Sequence, residues 1–213
     1  MGRTMSQRWK RAGAVAMVLA ATFAAGMVTG HRSGLNEGLE RQRERDAAEQ
    51  RILSWVVNAN PDARIKDFDG VAATLMDEAA RYGIDYRLVM AMIGKESRWH
   101  PEVVGSSGEI GLMQILPSTG VLIAKRLNDR SWRPPTKGRR GAYESLGTLG
   151  DSKENVRYGV QYLAWQVDVF GMGATALRAY NRNPARATEH RSWDRYAEDV
   201  ALRYVALTHV IRR

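Results

Sequence analysis

The chain of 213 residues, 44% hydrophobic and 26% charged, has the length and balance of one globular domain with appendages. It holds no cysteine, which excludes a disulfide framework, a thiol nucleophile and a lipid-modified N-terminus, and its four histidines (His31, His100, His190, His209) form no HExxH-like pair for zinc. The net charge of +9 suits nucleic acid, anionic lipid or an anionic wall polymer; no nucleic-acid motif supports the first, and a merely solvated basic surface is the plain alternative.

Residues 1–30 read as a targeting segment. Arg3, Arg8, Lys10 and Arg11 stand in this stretch without an acid, ahead of the apolar run AGAVAMVLAATFAAGMVTG. Ala14–Val28 is short for a membrane span, which takes about 20 residues. Counting from Gly13 to Gly30 reaches the lower limit. A cleaved signal and an inner-membrane anchor through residues 13–30 both remain open, and either leaves the basic end in the cytoplasm and exports the rest to the periplasm. Residues 31–66 alternate in charge sign and predict an exposed helical spacer. Its end carries Ile52, Trp55, Val56 and Ala59, a small apolar patch suited to docking on the domain downstream.

The domain proper is read as residues 67–213. Val71, Leu75, Met76 and Ala79 make an amphipathic helix stopped at Gly83, and Asp85 caps the next one. In that helix Leu88, Val89, Met92, Ile93 and Glu96 share one face. A carboxyl on such a face is partly desolvated, which disfavours its charged form and suits a general acid near neutral pH. The plainer reading is a Glu at a helix end pairing with Lys95 or Arg98 in water, and spacing alone favours it, because Glu is seldom buried.

The next residues shift the balance. Pro101 is read as the helix stop, and Gly105 to Gly108 as a flexible loop. Gly105, Gly108 and Gly111 let backbone approach a ligand closely, and the amide of Gln114 suits sugar hydroxyls and acetamido groups. Met113 is read as core filler. Ser118 or Thr119 caps a helix that places Val121, Leu122, Ala124 and Leu127 inside. Residues 128–151 lack periodicity and predict a long surface loop of the kind that often carries function. Helical order returns at Asn155, where Gly159 permits a close helix–helix approach. A short helix from Ala174 ends at Asn181, and a last one runs from about Ser192 to Val210 with Tyr196, Val200, Tyr204, Leu207 and Ile211 on one face. No convincing strand is seen, so the fold class is mostly α.

Glu96-Ser97, the run Ser106 to Gln114 (SSGEIGLMQ), Pro117, Asn155 with Gly159-Val-Gln-Tyr-Leu163, Ala179-Tyr180-Asn181 and Tyr196 occur in one telling order. Over about residues 70–205 the chain resembles the soluble lytic transglycosylase (SLT) catalytic domain of the lysozyme-like superfamily. The resemblance implies a lysozyme-like helical fold, no cofactor or metal, and peptidoglycan glycan strands as substrate. Glu96 would be the single acid/base, with the substrate's N-acetyl group assisting and the muramyl 6-hydroxyl attacking in place of water. Ser97 and Gln114 would bind the glycan, Tyr180 would orient the Glu96 carboxyl, Asn181 would contact the acetamido group, and Tyr196 would add a second phenol hydrogen bond. Two positions depart from the family pattern: Glu109, where Ala is common, and Asn183, where Gly is frequent. Glu109 is read as a loop residue open to water.

Two alternatives accompany this reading. A hydrolytic muramidase of goose-type-lysozyme character would need a second carboxylate, for which Glu102 and Glu109 stand nearest. A glycan-binding assembly factor of a secretion or pilus machine would have a disabled site, against which the intact Glu96, Gln114, Tyr180 and Asn181 speak. Trp99 and Trp132 would either stack on sugar faces or pack inside.

Overall fold

The computed structural model describes residues 37–139, 141–182 and 195–211. The targeting segment, the Asn183-Pro184 breaker and the start of the last helix near Ser192 lie outside the described residues. The chain divides into two units, residues 1–48 and 49–213. In the first, residues 37–48 are helical, and opposite charges pair along the helix (Arg43–Glu40 at 3.0 Å, Arg41–Glu37 at 3.6 Å), contacts that add little in water. Among the described residues no helix is long and apolar enough to cross a membrane.

The second unit opens with helical residues 49–59 (α1). Ile52 and Val56, one turn apart, join the buried core, and Asn60 donates its side-chain amide to the Trp99 carbonyl at 3.0 Å. The compact unit therefore begins ahead of residue 67. Two core residues sit inside a stretch whose charge reads as spacer.

A 3-10 turn at Ile65–Phe68 leads into α2 (Val71–Arg81), and α3 (Tyr86–Glu96) comes next. Asp85 caps α3 by accepting from the Arg87 amide at 3.0 Å. The same carboxylate binds the Arg87 guanidinium and the Tyr204 hydroxyl. The helix stops at Glu96, well before Pro101, because Arg98 and Trp99 take left-handed backbone (φ 53° and 63°). That conformation is unfavourable for bulky residues. Burial of the Trp99 ring against Phe68 offsets it.

Helix α4 (Pro117–Leu127) starts on Pro117 itself, the position where a missing N–H does no harm, rather than on a Ser118 or Thr119 cap. It buries Gly120, Ile123 and Ala124 and leaves Leu122 exposed, so its inner face is rotated from the expected one. The loop after it contains a short antiparallel pair, β1 (Thr136–Lys137) with β2 (Tyr143–Ser145), and a 3-10 turn at Gly147–Gly150. Strands this short carry no readable alternation.

Helix α5 (Ser152–Phe170) begins earlier than Asn155, since Asp151 accepts from the amides of Lys153 and Glu154 at 3.0 Å. Helices α6 (Ala174–Asn181) and α7 (Arg195–Val210) complete the described fold. Helix α5 packs on α2, α4 and α6, and α7 packs on α3. The mostly-α expectation holds.

Candidate active site

The site is built on a loop that one buried side chain holds in shape. Asn155, 1% exposed, accepts from the Met113 amide at 2.8 Å and donates to the carbonyls of Ile110 (2.8 Å) and Leu149 (2.9 Å). Three of its four hydrogen-bonding valences are thus spent on backbone, two of them on groups, the Met113 amide and the Leu149 carbonyl, that would otherwise be unsatisfied. Gly111 sits against this amide in left-handed backbone (φ 79°), where a Cβ would stand 2.4 Å from Asn155 Nδ2. The close approach at Gly159 is to the Met113 side chain, not to another helix. Backbone bonds between Ile110 and Ile115, Gly105 and Glu109, and Gly111 and Val103 tie residues 103–115 into a compact meander. In the stretch read as flexible, the amides of Gly105, Ser107 and Gly108 are all hydrogen-bonded.

This meander and the end of α3 form one wall of a cleft of about 930 Å³, and α4, α5 and α6 supply the rest. Glu96 lies in it, half-buried. Burial pushes its carboxyl up to about 7, with the Tyr196 hydroxyl and Lys95 pulling down and the Glu109 charge pushing up. Tyr196, from α7, donates to Glu96 Oε1 at 2.5 Å. A carboxyl so placed holds its proton near neutral pH and can hand it to a bound oxygen.

The structure redistributes several expected roles. Tyr180 does not hold Glu96: its buried hydroxyl donates to the Met113 carbonyl at 2.8 Å and braces the meander. Tyr196, the secondary expectation, holds the carboxyl instead. Ser97 does not line the cleft, because its buried hydroxyl bonds back to the Ile93 carbonyl at 3.2 Å. Gln114 lines the cleft with both amide hydrogens committed, to Val103 O (3.1 Å) and Gly111 O (2.8 Å), so only its oxygen is offered. Asn181 lies exposed at the cleft lining, where a substrate amide could meet it.

Among the other candidates, Glu102 is exposed, lies near Arg64 at 3.8 Å and does not line the cleft. Glu109 is half-buried in the cleft rather than open to water. Trp99 is a core residue and Trp132 stacks on Tyr158, so neither faces a sugar. The aromatic wall is instead Tyr162 and Trp165, accompanied by Gln166 and Val169. Those four fall at i, i+3, i+4 and i+7, a second stripe on α5 that the spacing offers and the apolar face at Val156, Val160 and Leu163 overshadows.

A family model described as Transglycosylase SLT domain matches residues 74–201, more than half of the chain. The chain belongs to this family. Glu96, Gln114, Tyr180, Asn181 and Tyr196 all fall within the SLT match. The SLT chain is 32% identical over 111 residues to the soluble lytic murein transglycosylase of Salmonella typhimurium, covering 52% of this chain and 15% of that one. It is 31% identical over 101 residues to the membrane-bound lytic murein transglycosylase E of Buchnera aphidicola, covering 47% and 40%. With the endo-type membrane-bound lytic murein transglycosylase A of Klebsiella pneumoniae it shares 35% over 86 residues, covering 40% and 37%. The matched region therefore spans less than half the length of each of these relatives. Among solved structures, the 70 kDa soluble lytic transglycosylase of Escherichia coli aligns with 64% of this chain and 20% of its own, at 29% identity and TM-score 0.42. A complex of the 70-kDa enzyme with bulgecin A aligns with 65% and 20%, at 26% identity and TM-score 0.46.

Proposed function

We propose that this SLT domain is a peptidoglycan lytic transglycosylase that cleaves the MurNAc–GlcNAc β-1,4 bond without water and leaves 1,6-anhydroMurNAc ends. The observation that carries the reading is Glu96, half-buried in the cleft, holding its proton to about pH 7 and gripped through one oxygen by Tyr196.

The Tyr196 hydrogen bond occupies Oε1, so Oε2 is the oxygen that bears the transferable proton. In the first step that proton goes to the glycosidic oxygen, the C1–O bond breaks, and the substrate's N-acetyl carbonyl covers the developing charge at C1. The Glu96 carboxylate then takes the proton of the muramyl 6-hydroxyl as its oxygen bonds to C1. One proton leaves Glu96 and one returns, and no water is consumed. Asn181 would receive the acetamido group, Gln114 Oε1 would accept from a sugar hydroxyl or N–H, and Tyr162 and Trp165 offer flat apolar faces for the sugar rings. The relatives' names, soluble and membrane-bound lytic murein transglycosylases, agree with this chemistry. Residues 1–30 would place the domain on the periplasmic side, free or tethered to the inner membrane.

Glu109 in the same cleft is the one specific observation that favours a hydrolytic muramidase, in which a second carboxylate would direct water. Digestion of purified peptidoglycan by the full chain and by Glu96→Gln tests the shared core of both readings. Loss of nearly all cleavage in a folded Glu96→Gln is expected, since acid/base roles contribute about 10²–10⁴-fold. Substantial residual cleavage would remove Glu96 from the reaction, and a folded parent chain that binds strands without cutting them would return the glycan-binding reading.

A further inference from the structure

Glu109 is a second cleft carboxylate, and none of the described ion pairs includes it. Its Oε2 accepts from the Ser107 amide at 3.0 Å, which fixes the group on its own loop. Gly105 makes the placement possible: a Cβ there would stand 2.4 Å from Glu109 Oε2 and 2.6 Å from Gln114 Oε1. The carboxylate thus sits beside an amide oxygen that offers no hydrogen, in a half-enclosed cleft where charge is screened less than in water.

The groups around Glu96 are few. From α3 comes Lys95, paired with Asp199 of α7. Helix α7 also brings Tyr196, and Arg203, whose guanidinium lies beside Gly94. Helix α6 brings Tyr180 and, just past its end, Arg182 lines the cleft; α5 brings Tyr162; α4 lines the cleft with Ser118, Thr119 and Leu122 and no charge. Glu109 is the one anion contributed by the meander to this lining.

We propose that Glu109 is a positioning residue for the acid step, a fixed negative charge on the cleft wall that keeps Glu96 in its proton-bearing form. This rests on Glu96 being the acid of the proposed reaction. The Glu109 charge pushes the Glu96 carboxyl up while Tyr196 and Lys95 pull it down, which agrees with the placement. Glu109 does not act on the substrate in this scheme: one of its oxygens is bound to its own loop, and the charge alone is used.

The test is the pH profile of cleavage by the full chain and its Glu109→Gln and Glu109→Asp variants, together with the Glu96 titration monitored by carboxyl 13C NMR without substrate. Glu109→Gln keeps an oxygen for the Ser107 amide and removes the charge. Its basic limb is expected at lower pH, so cleavage at about pH 8 falls about three-fold relative to that at about pH 5.5. Glu109→Asp is expected to recover most of the wild-type limb, and the NMR titration to move with the kinetics. An unmoved limb and titration in folded Glu109→Gln would overturn the proposal. A loss at every pH as deep as that of Glu96→Gln would overturn it too, by making Glu109 a reacting group. A wild-type chain that cleaves nothing would count against the transglycosylase reading, and the substrate-free titration would still decide the role of Glu109.

Discussion

Glu96 is useful because it keeps a proton that a solvated carboxyl would lose, and the fold bears the consequence. Its folded value lies near 7 against an ordinary 4.5. Between those two pH values the folded chain binds more proton than the unfolded one, so stability falls as pH rises, and above about 7 the penalty is complete. A shift of this size corresponds to on the order of 3 kcal/mol, less what the solvent-facing edge screens. Glu96→Gln is therefore predicted to unfold at higher temperature than wild type at about pH 8, with the gain fading toward about pH 4. An equal gain at both pH values would assign it to packing instead. Tyr196→Phe removes a donor that favours the charged form, so it moves the basic limb of cleavage to higher pH, opposite to Glu109→Gln. It also lowers the rate by about ten-fold or more, the worth of a hydrogen bond to a charged group. A limb that stays in place would disconnect the phenol from the acid. The sequence offered two tyrosines for this contact. Which one reaches Glu96 depends on how α6 and α7 pack on the rest, and neither residue's local pattern contains that information.

At the scale of elements, the site depends on a loop that has little regular structure of its own. The 103–115 meander is held by Asn155 from α5 and by Tyr180 from α6, both reaching across from helices far along the chain. Asn155→Ala would leave the Met113 amide and the Leu149 carbonyl without partners and would take from the Ile110 carbonyl one of its two donors, the Ile115 amide remaining. Unmet buried groups cost about 1–3 kcal/mol each, so a loss on the order of 3 kcal/mol is predicted. Calorimetry and the cleavage profile check this together: a lower melting temperature and lower activity at every pH, with the basic limb unmoved. A wild-type melting temperature would mean that the meander supports itself. The helices were legible because α2, α3 and α5 repeat apolar residues at helical spacing and carry caps such as Asp85. The hairpin β1–β2 was not, having too few residues for alternation to register. Glu96 was legible as a residue of the last helical turn, but what stops the helix was not: Pro101 is the visible breaker, whereas the turn at Arg98 and Trp99 is enforced by burial of a ring that local signals do not foresee.

For the whole molecule, charge patterning and apolar spacing point different ways over residues 49–66, read from charge as spacer and from Ile52, Trp55 and Val56 as a patch that docks on the domain. Ile52 and Val56 are each 1% exposed in the core although acids and bases crowd the preceding residues. Burying each contributes roughly 1.5–3 kcal/mol as an upper range. A chain beginning at residue 49 is predicted to keep the urea midpoint of residues 49–213 in the full chain. A chain beginning at residue 67 is predicted to unfold at clearly lower urea. Equal midpoints would return residues 49–66 to the role of spacer. Membership of the SLT family was legible because its signature runs through short local motifs, Glu96-Ser97, the loop to Gln114 and Ala179-Tyr180-Asn181, that survive without knowledge of packing. Ser97 shows the limit of that legibility. It stands in the motif next to the acid, yet it occupies the end of α3 and spends its hydroxyl on the helix.

Whether water or the muramyl 6-hydroxyl attacks C1 is the central chemical claim, and mass spectrometry of muropeptides released from purified peptidoglycan by the full chain tests it most directly. A single-Glu transglycosylase predicts products one water lighter than hydrolysis products, formed by wild type and lost with Glu96→Gln. Fully hydrated reducing ends would contradict it and make the chain a muramidase, with Glu109 the carboxylate to substitute next.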